Sequence, residues 1–122
     1  MKYLILMQIN PAVLEALTPE QQQALGDGHT AFVNAAKENG EFISTQACAD
    51  PSRSKVVRAV DGIPTVSDGP FVEAKEFLGG FYLVDVENEE RAVELALQIP
   101  DVQIPGLAVE IRPVIFADLG DG

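Results

Sequence analysis

The sequence predicts an α+β fold, a ferredoxin-like sandwich with an antiparallel sheet and two helices on one face. Three observations predict it. Segments 18–40 and 88–99 carry helix start signals and apolar residues at helical spacing. The segments around them alternate or run apolar as strands do, giving the order β-α-β-β(β)-β-α-β. The chain has 122 residues, 47% of them hydrophobic, which suits one domain over 1–122 with a limited core.

Residues 2–9 form the first strand, with Tyr3, Ile5, Met7 and Ile9 alternating against Leu4 and Leu6. Both faces are apolar, so both need cover. Asn10-Pro11 ends it. The run 3–9 is too short and too polar at Gln8 for a signal peptide, and no segment reaches the roughly 18 apolar residues of a membrane helix. Thr18-Pro19-Glu20-Gln21 opens the first helix with a capping box and a proline at the first position. Leu25, Phe32, Ala35 and Ala36 form its stripe; Gly26 and Gly28 predict a break there, with Asp27 as a second cap, and Gly40 an end. Residues 41–47 read as a strand and 50–52 as a turn. Residues 55–60 read as a further strand, turned at Asp61-Gly62 into a short partner, "PTVS". Residues 80–86 are the clearest strand. Asn88 caps the second helix, Glu89 and Glu90 favour its N-terminal dipole, and Ala92, Leu95, Ala96 and Ile99 face inward until Pro100. Residues 107–115 close the sheet. With both helices on one face, the other apolar face calls for a second copy of the chain, a homodimer with sheets face to face.

Nineteen acids against eight bases give a net charge of −11. Such a surface repels phosphate backbones and anionic lipid, which argues against nucleic acid and membranes as direct partners. Cys48, a lone cysteine, offers no disulfide and reads as a small buried hydrophobe. The expected location is cytoplasmic. One His and one Cys without ligand spacing give no closed metal site, and Gly79-Gly80 precedes a strand rather than a helix, so no dinucleotide loop is present. No cofactor is expected.

The densest stretch is "TVSDGPFVEAKEFLGGFYLVDV", residues 65–86, which lies within the longer run "TVSDGPFVEAKEFLGGFYLVDVENEERAVELA". It closely resembles the signature of DGPF-type proteins of the YCII-related family. Asp68, Gly69, Pro70, Phe71, Glu73, Lys75, Glu76, Gly79, Gly80, Phe81 and Tyr82 match; Ser67 and Ala74 stand where threonine is usual. "VVR" before "DG", "VEIRPV" near the end, and "GHTAF" with His29 also resemble the family, so the likeness spans most of 2–115. The resemblance implies a dimeric α/β barrel of ferredoxin-like subunits. It implies little about activity: a helix-one histidine with a cleft carboxylate has been proposed to be catalytic in relatives, the wider superfamily includes isomerases and cofactor-free monooxygenases, and neighbouring sigma-factor genes hint at regulation. Gln46 stands where the family often has an acid, and the Gly-Asp-Gly before His29 is unusual.

The sole histidine, His29, falls on the apolar stripe of helix one, where an acid/base group and a structural histidine bonded to a backbone carbonyl both fit. Asp68 is either an Asx-turn cap of a rigid corner or the carboxylate orienting His29. Lys75 and Arg58, with Glu73, are candidates to rim a ligand cleft, Arg112 is a rival anion binder, and a sheet-face arginine more often pairs with an acid such as Glu110. Phe71, Phe81 and Tyr82 read as core or pocket wall. Two functions remain open: a small enzyme of isomerase, lyase or cofactor-free oxidation type using His29 and Asp68, and a non-catalytic ligand-binding or regulatory accessory protein, linked to an alternative sigma factor.

Overall fold

The computed structural model describes residues 1–71 and 74–120. In chain order the elements are β1 (Lys2–Ile9), α1 (Pro11–Glu15), α2 (Pro19–Glu38), β2 (Phe42–Ala47), β3 (Lys55–Val60), β4 (Ile63–Asp68), β5 (Phe77–Asp85), α3 (Glu89–Leu97) and β6 (Ala108–Pro113). Short 3₁₀ turns occupy Pro51–Arg53 and Pro100–Gln103. The main sheet runs β2-β5-β1-β6 and is antiparallel throughout. This is the ferredoxin-like order, with the β3–β4 hairpin inserted between the second and third strands of the sheet.

Alternation of side chains explains the two faces. Tyr3, Ile5 and Met7 of β1 and Tyr82 and Val84 of β5 are buried. They pack with Phe32 of α2 and Ala92, Leu95 and Ala96 of α3, so both long helices share one face. The intervening Leu4, Leu6, Phe81 and Leu83 point to the opposite, open face, where cross-strand register sets Leu4 against Leu83 and Leu6 against Phe81. Among the described residues no helix is long and apolar enough to cross a membrane.

The start signals act as anticipated. Thr18 accepts from the Gln21 amide at 3.1 Å while the Gln21 side chain accepts from the Thr18 amide at 2.8 Å, and Asn88 accepts from the Arg91 amide. Asp61 and Gly62 both take positive φ, the requirement of the tight hairpin turn.

Other expectations need correction. α2 does not break at its glycines; it runs unbroken for 20 residues. Gly26 sits in open space, where it costs propensity only, and Gly28 is where Pro100 packs. Ala35 is exposed, and Val33 supplies the contact expected of it. Asn10-Pro11 ends β1 by starting α1, Asn10 capping the Ala12 amide. Cys48 is exposed rather than buried, because it lies beyond the end of β2.

Candidate functional site

Strands β1, β2 and β5 of the main sheet and helix α2 line a cavity of about 290 Å³. Met7, Ile9, Leu14 and Leu25 make its apolar wall; Thr45, Gln46, Tyr82, His29 and Asp101 supply polar atoms. Backbone closeness shapes it. Gly80 on β5 faces β2 so tightly that a Cβ there would lie 2.6 Å from the Gln46 carbonyl oxygen. A side chain at 80 would pry the two strands apart.

His29 is held at both nitrogens. Nε2 lies 2.6 Å from Asp101 Oδ1, and Nδ1 lies 2.7 Å from the Tyr82 hydroxyl. An ionised carboxylate only accepts, so the proton shared with Asp101 is on Nε2. In the neutral ring Nδ1 is then an acceptor, and the Tyr82 hydroxyl donates to it. The three groups form a chain, Asp101 to His29 to Tyr82.

Three elements converge to build it. His29 is about one turn before Phe32 and two turns before Ala36, the buried residues of α2. Tyr82 points inward from β5, its ring 4.6 Å from that of Phe32. Asp101 is in the 3₁₀ turn after α3, where Pro100 packs against the bare backbone of Gly28. The Asp101 side chain is 5% exposed and the His29 ring 27%, so the carboxylate is enclosed and the imidazole partly open. Burial, and secondarily the negative charge of Asp101, push the Tyr82 hydroxyl up to about 12, so it keeps its proton across the physiological range.

The residues singled out from sequence do not all gather here. His29 and Tyr82 meet. Asp68 does not join them: it ends β4, is well exposed, and pairs with Lys55 across the hairpin. The carboxylate facing His29 is Asp101 instead. Asp68 is tied to the hairpin because the chain turns at once, the Gly69 amide bonding the Ser54 carbonyl at 2.8 Å. Phe71 is neither core nor pocket wall; it is 69% exposed, with the Arg58 guanidinium 5.7 Å above its ring. Lys75 is exposed and does not line the cavity. Glu73 lies outside the described residues. Arg112 lies 3.7 Å from Glu110, the sheet-face pairing expected of it. Among the described residues no group of three His, Cys, Asp or Glu side chains could hold a metal ion.

Asp101 was the residue missed by sequence reasoning. Its signal was present: between Gln98 and Val109 it is the one charged residue in an apolar stretch. An isolated acid so placed is buried with a partner or not at all.

A second, larger groove of about 920 Å³ lies on the open sheet face, lined by Leu4, Leu6, Phe81, Leu83 and the tail residues Val114 and Phe116 to Leu119. It holds no histidine and is mostly apolar, with Ser44, Gln46 and Asp118 as its polar residues.

A family model described as "YCII-related domain" matches residues 1–116. An uncharacterized protein, R00369, of Rhizobium meliloti (strain 1021) is 26% identical over 121 residues, which cover 99% of this chain and 98% of that protein.

Proposed function

We propose, for a chain that belongs to the YCII-related family, that the cavity beside α2 binds a small organic molecule and transfers a proton to or from it. The observation that carries this reading is the enclosed Asp101 carboxylate bonded to the sole histidine. Burying a carboxylate costs several kcal/mol (order of magnitude) unless it is well partnered, and a histidine needing only a structural bond is served by a carbonyl. Such a pair in a cavity is the arrangement of a general base with its orienting acid.

Both imidazole nitrogens are engaged at rest. A ligand carbonyl or hydroxyl that takes the Tyr82 hydrogen bond frees Nδ1 as the base, with Asp101 stabilising the imidazolium that forms. The walls are mostly apolar and, His29 and Asp101 apart, carry no carboxylate or cationic side chain among the described lining residues, which favours a neutral molecule. Isomerisation, lyase chemistry and cofactor-free oxidation share this first proton abstraction. The proposal includes a homodimer closed over the apolar open sheet face, and a cytoplasmic location, which suits the exposed thiol of Cys48.

A second reading, a non-catalytic ligand-binding or regulatory protein, draws on that same resting state, in which every nitrogen of His29 is satisfied. Deuterium exchange separates the two. Neutral ketone fragments that shift the His29 ring signals are incubated with protein in D₂O, and exchange of the hydrogen α to the carbonyl is followed. Faster exchange, lost by about 10²–10⁴-fold in His29→Gln and Asp101→Asn, supports catalysis. Fragment binding without exchange favours the second reading. Absence of any shift at His29 across the fragments removes both.

A further inference from the structure

The hydroxyls and the imidazole of the cavity beside α2 carry three protons, and two of them are spent inside the protein. The proton on His29 Nε2 goes to Asp101. The Thr45 hydroxyl donates to the Phe81 carbonyl at 2.8 Å; a carbonyl accepts and cannot donate, so the direction of that bond is fixed. The Tyr82 proton rests on His29 Nδ1 and is the one a ligand can claim. Gln46 adds no donor to this account. Its register partner is Phe81, so its side chain belongs to the open face, where it borders the larger groove, and the atom it sets beside Gly80 is its carbonyl oxygen.

Thr45 is therefore an acceptor toward the cavity. Having given its proton to Phe81, its Oγ1 still has lone pairs to offer. Thr45 is directly opposite Tyr82 in the β2–β5 register, so the two side chains share a face with Cβ atoms about 4.5–5.5 Å apart. Tyr82 is 3% exposed, whereas Thr45 is exposed on the edge strand of the sheet. The cavity thus offers a donor at its floor and an acceptor at its rim. A ligand with no proton to give at the rim strips water from Oγ1 and returns nothing.

We infer that Thr45 is a ligand-binding, specificity-determining residue, and that the cavity takes a small neutral hydroxyketone, its carbonyl accepting from Tyr82 and its hydroxyl donating to Thr45 Oγ1. The inference rests on the cavity reading above and deepens it by naming the class of ligand. A plain ketone meets the floor and leaves the rim unpaired; a hydroxyketone meets both.

Titrations followed at the His29 ring signals test it with three probes: butanone, acetoin, which adds a hydroxyl, and the methyl ether of acetoin, which keeps the oxygen and loses the proton. Acetoin binds the wild type about 3–10-fold more tightly than either of the others, the worth of one hydrogen bond at a partly solvated site. Thr45→Val erases that preference and leaves the affinity for butanone unchanged, which damage to the cavity as a whole would not do. Thr45→Ser keeps the preference. Valine is β-branched like threonine and suits an exposed strand position, so the variant folds. A preference for acetoin that survives in Thr45→Val overturns the role of Thr45. Equal affinity of the wild type for all three probes overturns the hydroxyketone and leaves the cavity reading standing. Absence of any ring shift with all three removes the cavity reading and this inference with it.

Discussion

Pro100 rests directly on the backbone of Gly28: a Cβ at position 28 would lie 2.8 Å from Pro100 Cγ. One residue further along each segment, His29 and Asp101 share their 2.6 Å bond. The glycine that weakens α2 as a helix is thus what brings the 3₁₀ turn close enough for the carboxylate to reach the ring.

The two glycines of α2 therefore respond oppositely to alanine. Gly26→Ala, with open space around it, stabilises the fold by about 1 kcal/mol through helix propensity. Gly28→Ala gains the same propensity but drives a methyl into the rigid Pro100 ring, with a net loss of about 1–2 kcal/mol. Urea denaturation of the two variants checks both signs.

The neutral imidazole carries its proton on Nε2. Nitrogen-15 shifts of the neutral ring report that tautomer in the wild type and in Asp68→Asn. Asp101→Asn changes the ring signals, and its amide leaves the tautomer free to redistribute. A spectrum sensitive to Asp68 and indifferent to Asp101 contradicts the geometry.

Acid destabilises the protein through Glu41. Arg91 donates two hydrogen bonds to it, at 2.9 and 2.8 Å, and these hold its carboxyl below the ordinary carboxylate range despite the opposing effect of burial. A lowered folded value means the stabilisation is complete above the unfolded value, about 4.3, and is lost as pH falls through the folded one. Glu41→Gln costs about 1–3 kcal/mol at pH 7 and flattens the decline of stability below pH 4, measured by thermal unfolding across pH.

Alkali acts through Tyr82. Its hydroxyl is raised to about 12 in the fold, against about 10 in the unfolded chain. The contribution is whole below the unfolded value and is lost as pH rises from about 10 to about 12. Tyrosinate absorbance shows one of the two tyrosines ionising only near the upper value, a component that disappears in Tyr82→Phe.

Local rules were readable in the sequence because local contacts enforce them. The Thr18–Gln21 capping box, the Asn88 cap and the Asp61-Gly62 turn each close within three residues. The alternation along β1 and β5 disclosed a sheet apolar on both sides. The site was half legible. His29 stood out by being alone, but its carboxylate comes from 72 residues away. No spacing rule reaches that far, and the dense charges around Asp68 drew attention to a corner whose partner, Lys55, is 13 residues back on the same hairpin.

The strand order has a consequence for synthesis. β1 lies between β5 and β6, the last two strands made. At about 5–20 residues per second, roughly 5–20 seconds separate the emergence of β1 from that of β6. Until β5 emerges the most apolar strand of the chain has neither neighbour, until β6 follows it has only one, and no amount of early helix formation can supply them. Completion of the sheet is deferred until translation is nearly over. A nascent chain stalled within β5 holds β1 open as a binding segment for a chaperone, and a slow codon placed there prolongs the exposure rather than helping the domain to fold.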